Sequence, residues 1–216
     1  MPYDPQKHHR RSIRLKGYDY TQPGAYFVTI CTQGRACLFG QVVEGQMRLN
    51  EFGEIVAQTW YDLPNHIPNV ALDACIVMPN HMHGIIVITD ASPQIVGAIH
   101  ELPLHELPLH ELPLHELPLQ SQPHQQLPQH ERRRMLLPKI IGRFKMASAK
   151  GINKIRNTPG IPVWQRNYYE HIIRTEDALQ RIRQYIVTNP LRWHLDRENP
   201  NPTGRNPDEE MWFGSA

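Results

Sequence analysis

Val77-Met78-Pro79-Asn80-His81-Met82-His83-Gly84-Ile85-Ile86-Val87-Ile88 carries two histidines at i and i+2, with apolar runs at 74–78 before them and 85–88 after them. Pro79-Asn80 breaks the runs into two strands. Strand residues alternate faces, so His81 and His83 project side by side from one face of a central, buried strand. Two imidazoles fixed by sheet backbone make half of a metal site. The plainer meaning of a buried histidine is a hydrogen-bonded core residue, and a His-x-His pair is short enough to recur by chance. Asn80, beside the pair, reads as a turn residue.

Upstream, Tyr26-Phe27-Val28-Thr29-Ile30-Cys31-Thr32 is dense in β-branched and aromatic residues and predicts another buried strand. A hairpin is expected at 38–49, turning at Glu44-Gly45. Asn50 is placed as an N-cap, and Phe52, Val56, Trp60 and Leu63 recur at helical spacing with Pro64 as the stop. A strand at 70–78 leads into the histidine pair.

Downstream the chain changes character. His-Glu-Leu-Pro-Leu repeats four times over 100–119, and Gln/Pro/His-rich sequence runs on to His130. A proline every fifth residue prevents both a continuous helix and a central strand. The stretch at about 95–131 therefore reads as a low-complexity, mostly disordered insertion. Order resumes with a helix at 137–150, where Ile140, Phe144 and Ala147 mark an apolar stripe and Lys139, Arg143 and Lys150 share another face. A strand is expected over 163–174. A last helix starts at the N-cap Thr175 and runs to about Asn189, where Pro190 ends or kinks it. Of Glu170 and His171, adjacent in that strand, at most one points inward.

At 216 residues the chain makes one domain with a proper core, expected over 1–199 around the insertion, plus a loose tail at 200–216 in which Trp212 and Phe213 can dock. The formal net charge is only +2, but it is segregated. Residues 131–156 hold nine Lys/Arg against one Glu, and residues 1–18 hold five against one Asp. Two basic segments in a small domain point to a polyanion, although either alone would pass for a solvated face. Three cysteines without ligand spacing, no signal peptide and no long apolar run predict a cytoplasmic protein with reduced thiols.

MPNHMHGIIVI (78–88) resembles the His-hydrophobic-His element of the single-tyrosine HUH transposases, which include the IS200-like and REP-associated tyrosine transposases. HHRRSIRLKGY, YFVTICTQ, LPKIIGRFK, VWQRNYYEHIIR and YIVTNP are similar to further family segments, so the resemblance covers about residues 7–90 and 135–195. The element order and the resemblance agree on an α+β fold: a ferredoxin-like antiparallel sheet with helices packed mainly on one face.

The resemblance implies a metal-dependent enzyme that cleaves and rejoins single-stranded DNA at hairpin-flanked sites through a 5′-phosphotyrosine link. Tyr185 alone of eight tyrosines lies on the last helix, with Asn189 one turn on. By periodicity Ala178, Ile182, Tyr185 and Asn189 form one stripe, which reads as core. The resemblance makes Tyr185 the nucleophile instead, and makes the Asn189 amide the third ligand beside His81 and His83. The ion would be Mg²⁺ or Mn²⁺, which an oxygen ligand suits. Pro190 works against helical geometry at Asn189. Tyr169, in the preceding strand, is the competing nucleophile, with packing or DNA contact as its other roles.

Arg10, Arg11, Arg14 and Lys16 of the N-terminal arm, and Lys139, Arg143 and Lys145, are the expected phosphate contacts. The partner would be single-stranded or hairpin DNA and not a membrane. The resemblance allows a homodimer or a monomer. Two other readings stand beside this one: a domesticated module that binds hairpins without cutting, and a small-molecule metal hydrolase, which leaves the basic segments without a role.

Overall fold

Alternating and continuous apolar runs at the predicted places build the strands of the computed structural model, which describes residues 23–89 and 136–204. The basic arm with Arg10, Arg11, Arg14 and Lys16, the insertion at about 95–131, and Trp212 and Phe213 lie outside the described residues. In chain order come β1 (Gly24–Cys31), the hairpin β2 (Gly40–Val43) and β3 (Gln46–Leu49), α1 (Glu51–Tyr61), the one-turn α2 (Leu63–His66), β4 (Val70–Val77), β5 (His81–Ile88), α3 (Leu136–Ile155), β6 (Tyr169–Ile173) and α4 (Glu176–Thr188). A 3-10 helix, Asn189–Leu195, continues α4.

Four strands pair antiparallel in the order β4-β5-β1-β6. With α1 connecting β1 to β4 and α3 before β6, this is the ferredoxin-like α+β arrangement. The β2–β3 hairpin forms a separate small sheet and turns at Glu44 and Gly45, both at positive φ (53° and 73°).

Strand parity sorts the side chains into two cores. Tyr26, Val28 and Ile30 of β1 and Met82 and Ile86 of β5 face α1 and α3, packing with Val56, Trp60, Ile140 and Phe144. Ala25 and Phe27 of β1 and Ile85 of β5 face the other way and meet Leu179, Ile182, Tyr185 and Ile186 of α4. Helices therefore lie mainly on one face, and the single helix α4 covers the other. His81 and His83 have the parity of Ile85 and stand on the α4 side.

Both expected N-caps form. Asn50 accepts from the Phe52 and Gly53 amides, and Thr175 accepts from that of Ala178. Other expectations need correction. Pro64 does not stop the chain's helical course; it sits in the first turn of α2, where its missing N–H costs nothing. Ala147 is exposed, and Ser148 takes the buried place, donating to the Phe144 carbonyl and accepting from Trp164 Nε1. The strand predicted over 163–174 is regular only at 169–173. Before it, Trp164 makes one bridge to Thr32, and the carbonyls of Gln165, Arg166 and Asn167 accept from Lys145 Nζ rather than from a neighbouring strand. Among the described residues no helix is long and apolar enough to cross a membrane.

Gly84 explains how α1 seats against β5. A Cβ there would lie 2.3 Å from Trp60 Cζ2, so the indole occupies the space a side chain would need. Gly84→Ala is expected to destabilise the protein by about 2 kcal/mol through overpacking. Gly142→Ala, with nothing within 4 Å of its Cβ, should stabilise α3 by up to about 1 kcal/mol. Urea denaturation measures both; equal midpoints for the two variants would remove this account of Gly84.

A buried ion pair ties α4 to the sheet. Arg183 Nε and Nη2 donate to the two carboxylate oxygens of Asp73 on β4, at 2.9 and 2.6 Å. Both side chains are less than a tenth exposed, and Asp73 sits where the β4–β5 register shifts between Leu72 and Cys75. Asp73→Ala strands a buried guanidinium and should cost about 3 kcal/mol, while Asp73→Leu combined with Arg183→Met should recover most of it. A double-mutant cycle by urea melts, giving no coupling between the two positions, would contradict the pairing.

Candidate active site

The site begins with the register of β1 and β5. Thr29 lies opposite His83, and Cys31 lies opposite His81. Both imidazoles are almost wholly buried. Asn80 Oδ1 is 2.9 Å from His81 Nδ1, and the same amide donates through Nδ2 to the carbonyls of Arg35 and Glu198. Because Oδ1 can only accept, His81 Nδ1 carries the proton and its Nε2 offers a lone pair. Asn80 is thus more than a turn residue: it fixes the tautomer of the first histidine. Thr29 Oγ1 lies 2.9 Å from His83 Nδ1; a hydroxyl donates or accepts, so it suits either tautomer of His83. Phe27 stacks on the His83 ring at 5.4 Å and holds its plane.

The two Nε2 atoms are 3.1 Å apart. With metal–nitrogen bonds of about 2.1 Å, that separation corresponds to a ligand angle of about 95°. Burial pushes both histidines below the usual histidine range; Asp196 opposes this for His81, and the neighbouring His81 reinforces it for His83. The pair is therefore neutral, as ligation requires. Asp196 Oδ2 approaches His81 Nε2 to 3.6 Å and has no hydrogen-bond partner, while Oδ1 accepts from the Glu198 amide. Among the described residues His81, His83 and Asp196 present ligand atoms all within 4.8 Å of one another. Buried lone pairs converging with few protons to separate them fit a divalent cation. Cys31 does not fit a thiolate ligand: burial, then the nearby Glu198 carboxylate, pushes its thiol up to about 12.

Asn189 keeps right-handed helical geometry (φ −56°, ψ −41°) despite Pro190, because the chain tightens there into the 3-10 helix. It is buried, and neither amide atom has a hydrogen-bond partner. An unsatisfied buried amide one turn from Tyr185 fits a ligand as well, so Asn189 and Asp196 are both candidates for the third position.

Tyr185 places its hydroxyl 3.4 Å from His83 Nε2, with ring centroids 5.1 Å apart, and its ring meets Phe27 edge-on at 6.0 Å. Tyr169, paired with Thr29 across β1–β6, shares this face of the sheet, and burial raises its phenol. Glu170 points to the other face and His171 to this one. A cavity of about 250 Å³ opens between Tyr168, Tyr169, Tyr185, His83 and Asp196.

The basic residues divide. Lys139 and Arg143 are exposed on α3, across the sheet from the histidines. Lys145, held to about 8 by burial, secures the loop at 165–167 that lines the cavity. Asp196 went unnoticed in the sequence, where it follows a Pro/Trp-containing stretch with no periodicity. An amide directly before the His-x-His pair was a signal for Asn80.

No protein-family model matches the chain. Two solved structures overlap it loosely. A REP-associated tyrosine transposase bound to a REP hairpin gives 17% identity and a TM-score of 0.39 over 85% of this chain and 72% of its own. An inferred transposase of Deinococcus radiodurans R1 gives 18% and 0.38 over 81% and 95%. An uncharacterized protein of Haemophilus influenzae is 40% identical over 195 residues, spanning 90% of this chain and 96% of that protein. The chain therefore belongs to the same protein family as this Haemophilus influenzae protein.

Proposed function

We propose that the chain is a metal-dependent, single-tyrosine HUH endonuclease and transposase of the IS200-like, REP-associated kind, acting in the cytoplasm on single-stranded DNA beside hairpins. The observation that carries this is the Tyr185 hydroxyl, 3.4 Å from a buried imidazole at the point where His81, His83 and Asp196 converge. A hydrolase using water would not need a phenol at that place.

His81 and His83, with Asn189 or Asp196, would hold Mg²⁺ or Mn²⁺, which supplies Lewis-acid polarisation of the scissile phosphate. Phe27 and His83 fix the ring of Tyr185 from two sides, so its oxygen has a defined approach. The phenol oxygen attacks phosphorus, the bond from phosphorus to the 3′ oxygen breaks, and that oxygen leaves as a hydroxyl after gaining a proton. The tyrosine proton departs to water. The 5′-phosphotyrosine keeps the phosphodiester energy, so a 3′-OH can reverse the step without ATP. Lys139 and Arg143, on the far side of the sheet, would hold phosphates away from the reacting centre, and Arg10, Arg11, Arg14 and Lys16 would hold others.

The test is a hairpin oligonucleotide with flanking single strand, labelled at its 3′ end and incubated with Mg²⁺ or Mn²⁺. Label should migrate with the protein on a denaturing gel. Hairpin binding without an adduct would favour a non-cleaving module, and cleavage without an adduct a water-using nuclease.

A further inference from the structure

The cavity beside Tyr185 carries an ionic group that the chemistry above does not use. Arg35 Nε and Arg197 Nε each lie 3.1 Å from one oxygen of Glu198. The carboxylate is 8% exposed, and the two guanidinium side chains are about half exposed. All three residues line the same cavity as His83 and Tyr185. Arg35 comes from the 3-10 turn Gln33–Arg35 and stands at φ 57°, a left-handed conformation that an arginine rarely adopts. Asn80 Nδ2, beside His81, donates to the carbonyls of Arg35 and Glu198. The histidine tautomer and the position of both charged segments therefore depend on one amide.

An ion pair serving only to staple the C-terminal segment would need one arginine. Here two guanidinium groups share one buried carboxylate at the mouth of a cavity that Asp196 also lines, so the lining is balanced in charge and it is the arginine N–H groups, not a net field, that a ligand would meet. Arg35 spends Nε on Glu198 and Nη1 on the Arg197 carbonyl, so of its five N–H donors three remain for a ligand. A guanidinium fork matches the paired oxygens of a phosphate.

We infer that Arg35 and Arg197, set in place by Glu198, form a clamp for one DNA phosphate next to the cleaved one, with the attached nucleotide in the cavity. This rests on the nucleic-acid reading of the site. Both arginines are positioning residues: they hold the strand in register with Tyr185 and do not touch the reacting phosphorus.

The probe is thymidine 3′,5′-bisphosphate, titrated into the full chain in EDTA and followed by calorimetry, with inorganic phosphate at equal ionic strength as a second arm. Wild type should bind the nucleotide more tightly than phosphate. Arg35→Ala and Arg197→Ala should each weaken it about tenfold, the scale of one charged hydrogen bond. Arg35→Lys should fall between, because it keeps the charge without the fork. Lys154→Ala, an exposed charge at the far end of α3, should bind as wild type. Glu198→Gln keeps an acceptor for one arginine and turns an NH2 toward the other, so it should release one guanidinium and weaken the nucleotide by less than either arginine variant does. Unchanged affinity in both arginine variants, equal affinity for inorganic phosphate, or a Glu198→Gln loss as large as theirs with a matching drop in Tm would overturn the clamp. Nucleotide binding needs neither metal nor Tyr185. Binding through both arginines without any adduct would keep the clamp and remove the transposase reading; an adduct with indifferent arginine variants would do the reverse.

Discussion

Tyr185→Phe is expected to abolish the covalent protein–DNA adduct while leaving fold, metal affinity and hairpin binding in place. The substitution removes one oxygen and keeps the ring that packs edge-on against Phe27 and against His83. The hydroxyl's contact with His83 is long, at 3.4 Å, so stability should change by no more than about 1 kcal/mol, the scale of one hydrogen bond. Phenylalanine has nothing with which to attack phosphorus, so label on the protein band should vanish. Tyr169 is the informative control, because it lines the same cavity from β6 and touches the same Phe27 ring at 6.4 Å. Tyr169→Phe should keep most of the adduct. Label that survives in Tyr185→Phe and disappears in Tyr169→Phe would move the nucleophile to the strand. Hairpin affinity by mobility shift, measured on both variants, separates a lost nucleophile from a lost fold.

The parts of this architecture that were legible in the sequence follow short-range rules. Alternation with period two placed His81 and His83 on one face of β5, because the pleat allows nothing else. Asn50 and Thr175 announced their helices through a side-chain oxygen that reaches an amide two or three residues on. Tyr185 and Asn189 were linked by one helical turn. What stayed hidden depends on chain segments far apart in sequence. Asp196 reaches His81 only because the 3-10 helix after α4 folds back over the sheet, and nothing local in Asn189–Leu195 encodes that path. Arg183 and Asp73, 110 residues apart, look like ordinary surface charges until α4 meets β4. The basic stripe of α3 was legible as a stripe, but which face of the sheet it flanks was set by the crossover geometry. Pro64 misled because a proline that ends one helix is equally suited to the first turn of the next. Ala147 misled because a small apolar residue satisfies a stripe without needing burial, whereas Trp164 Nε1 required an acceptor that Ser148 supplies.

His81→Ala is expected to remove both metal binding and adduct formation, with hairpin affinity largely retained. His81 is the histidine whose protonation the structure defines: Asn80 holds Nδ1–H, so Nε2 is committed as a lone pair toward His83 and Asp196. Without it, one nitrogen and one oxygen ligand remain, too few to hold a labile divalent ion. In the proposed function DNA affinity would come mainly from phosphate contacts by other residues, so mobility shifts should change little. Mn²⁺ titration by calorimetry and the labelled-hairpin gel give the two readouts, and a His81→Ala protein that still forms an adduct in EDTA would end the metal role. Asn80→Ala should act through the same atom more gently, weakening Mn²⁺ by about tenfold to a hundredfold, as loss of an orienting partner does. The third ligand is then decided by two further variants. Asp196→Asn keeps shape but removes the charge; Asn189→Ala removes an amide that has no other partner. If Asp196 is the ligand, Asp196→Asn loses Mn²⁺ and Asn189→Ala does not. If Asn189 is the ligand, the order reverses, and Asp196→Asn should bind hairpin at least as well as wild type because one negative charge has left the path of the scissile phosphate.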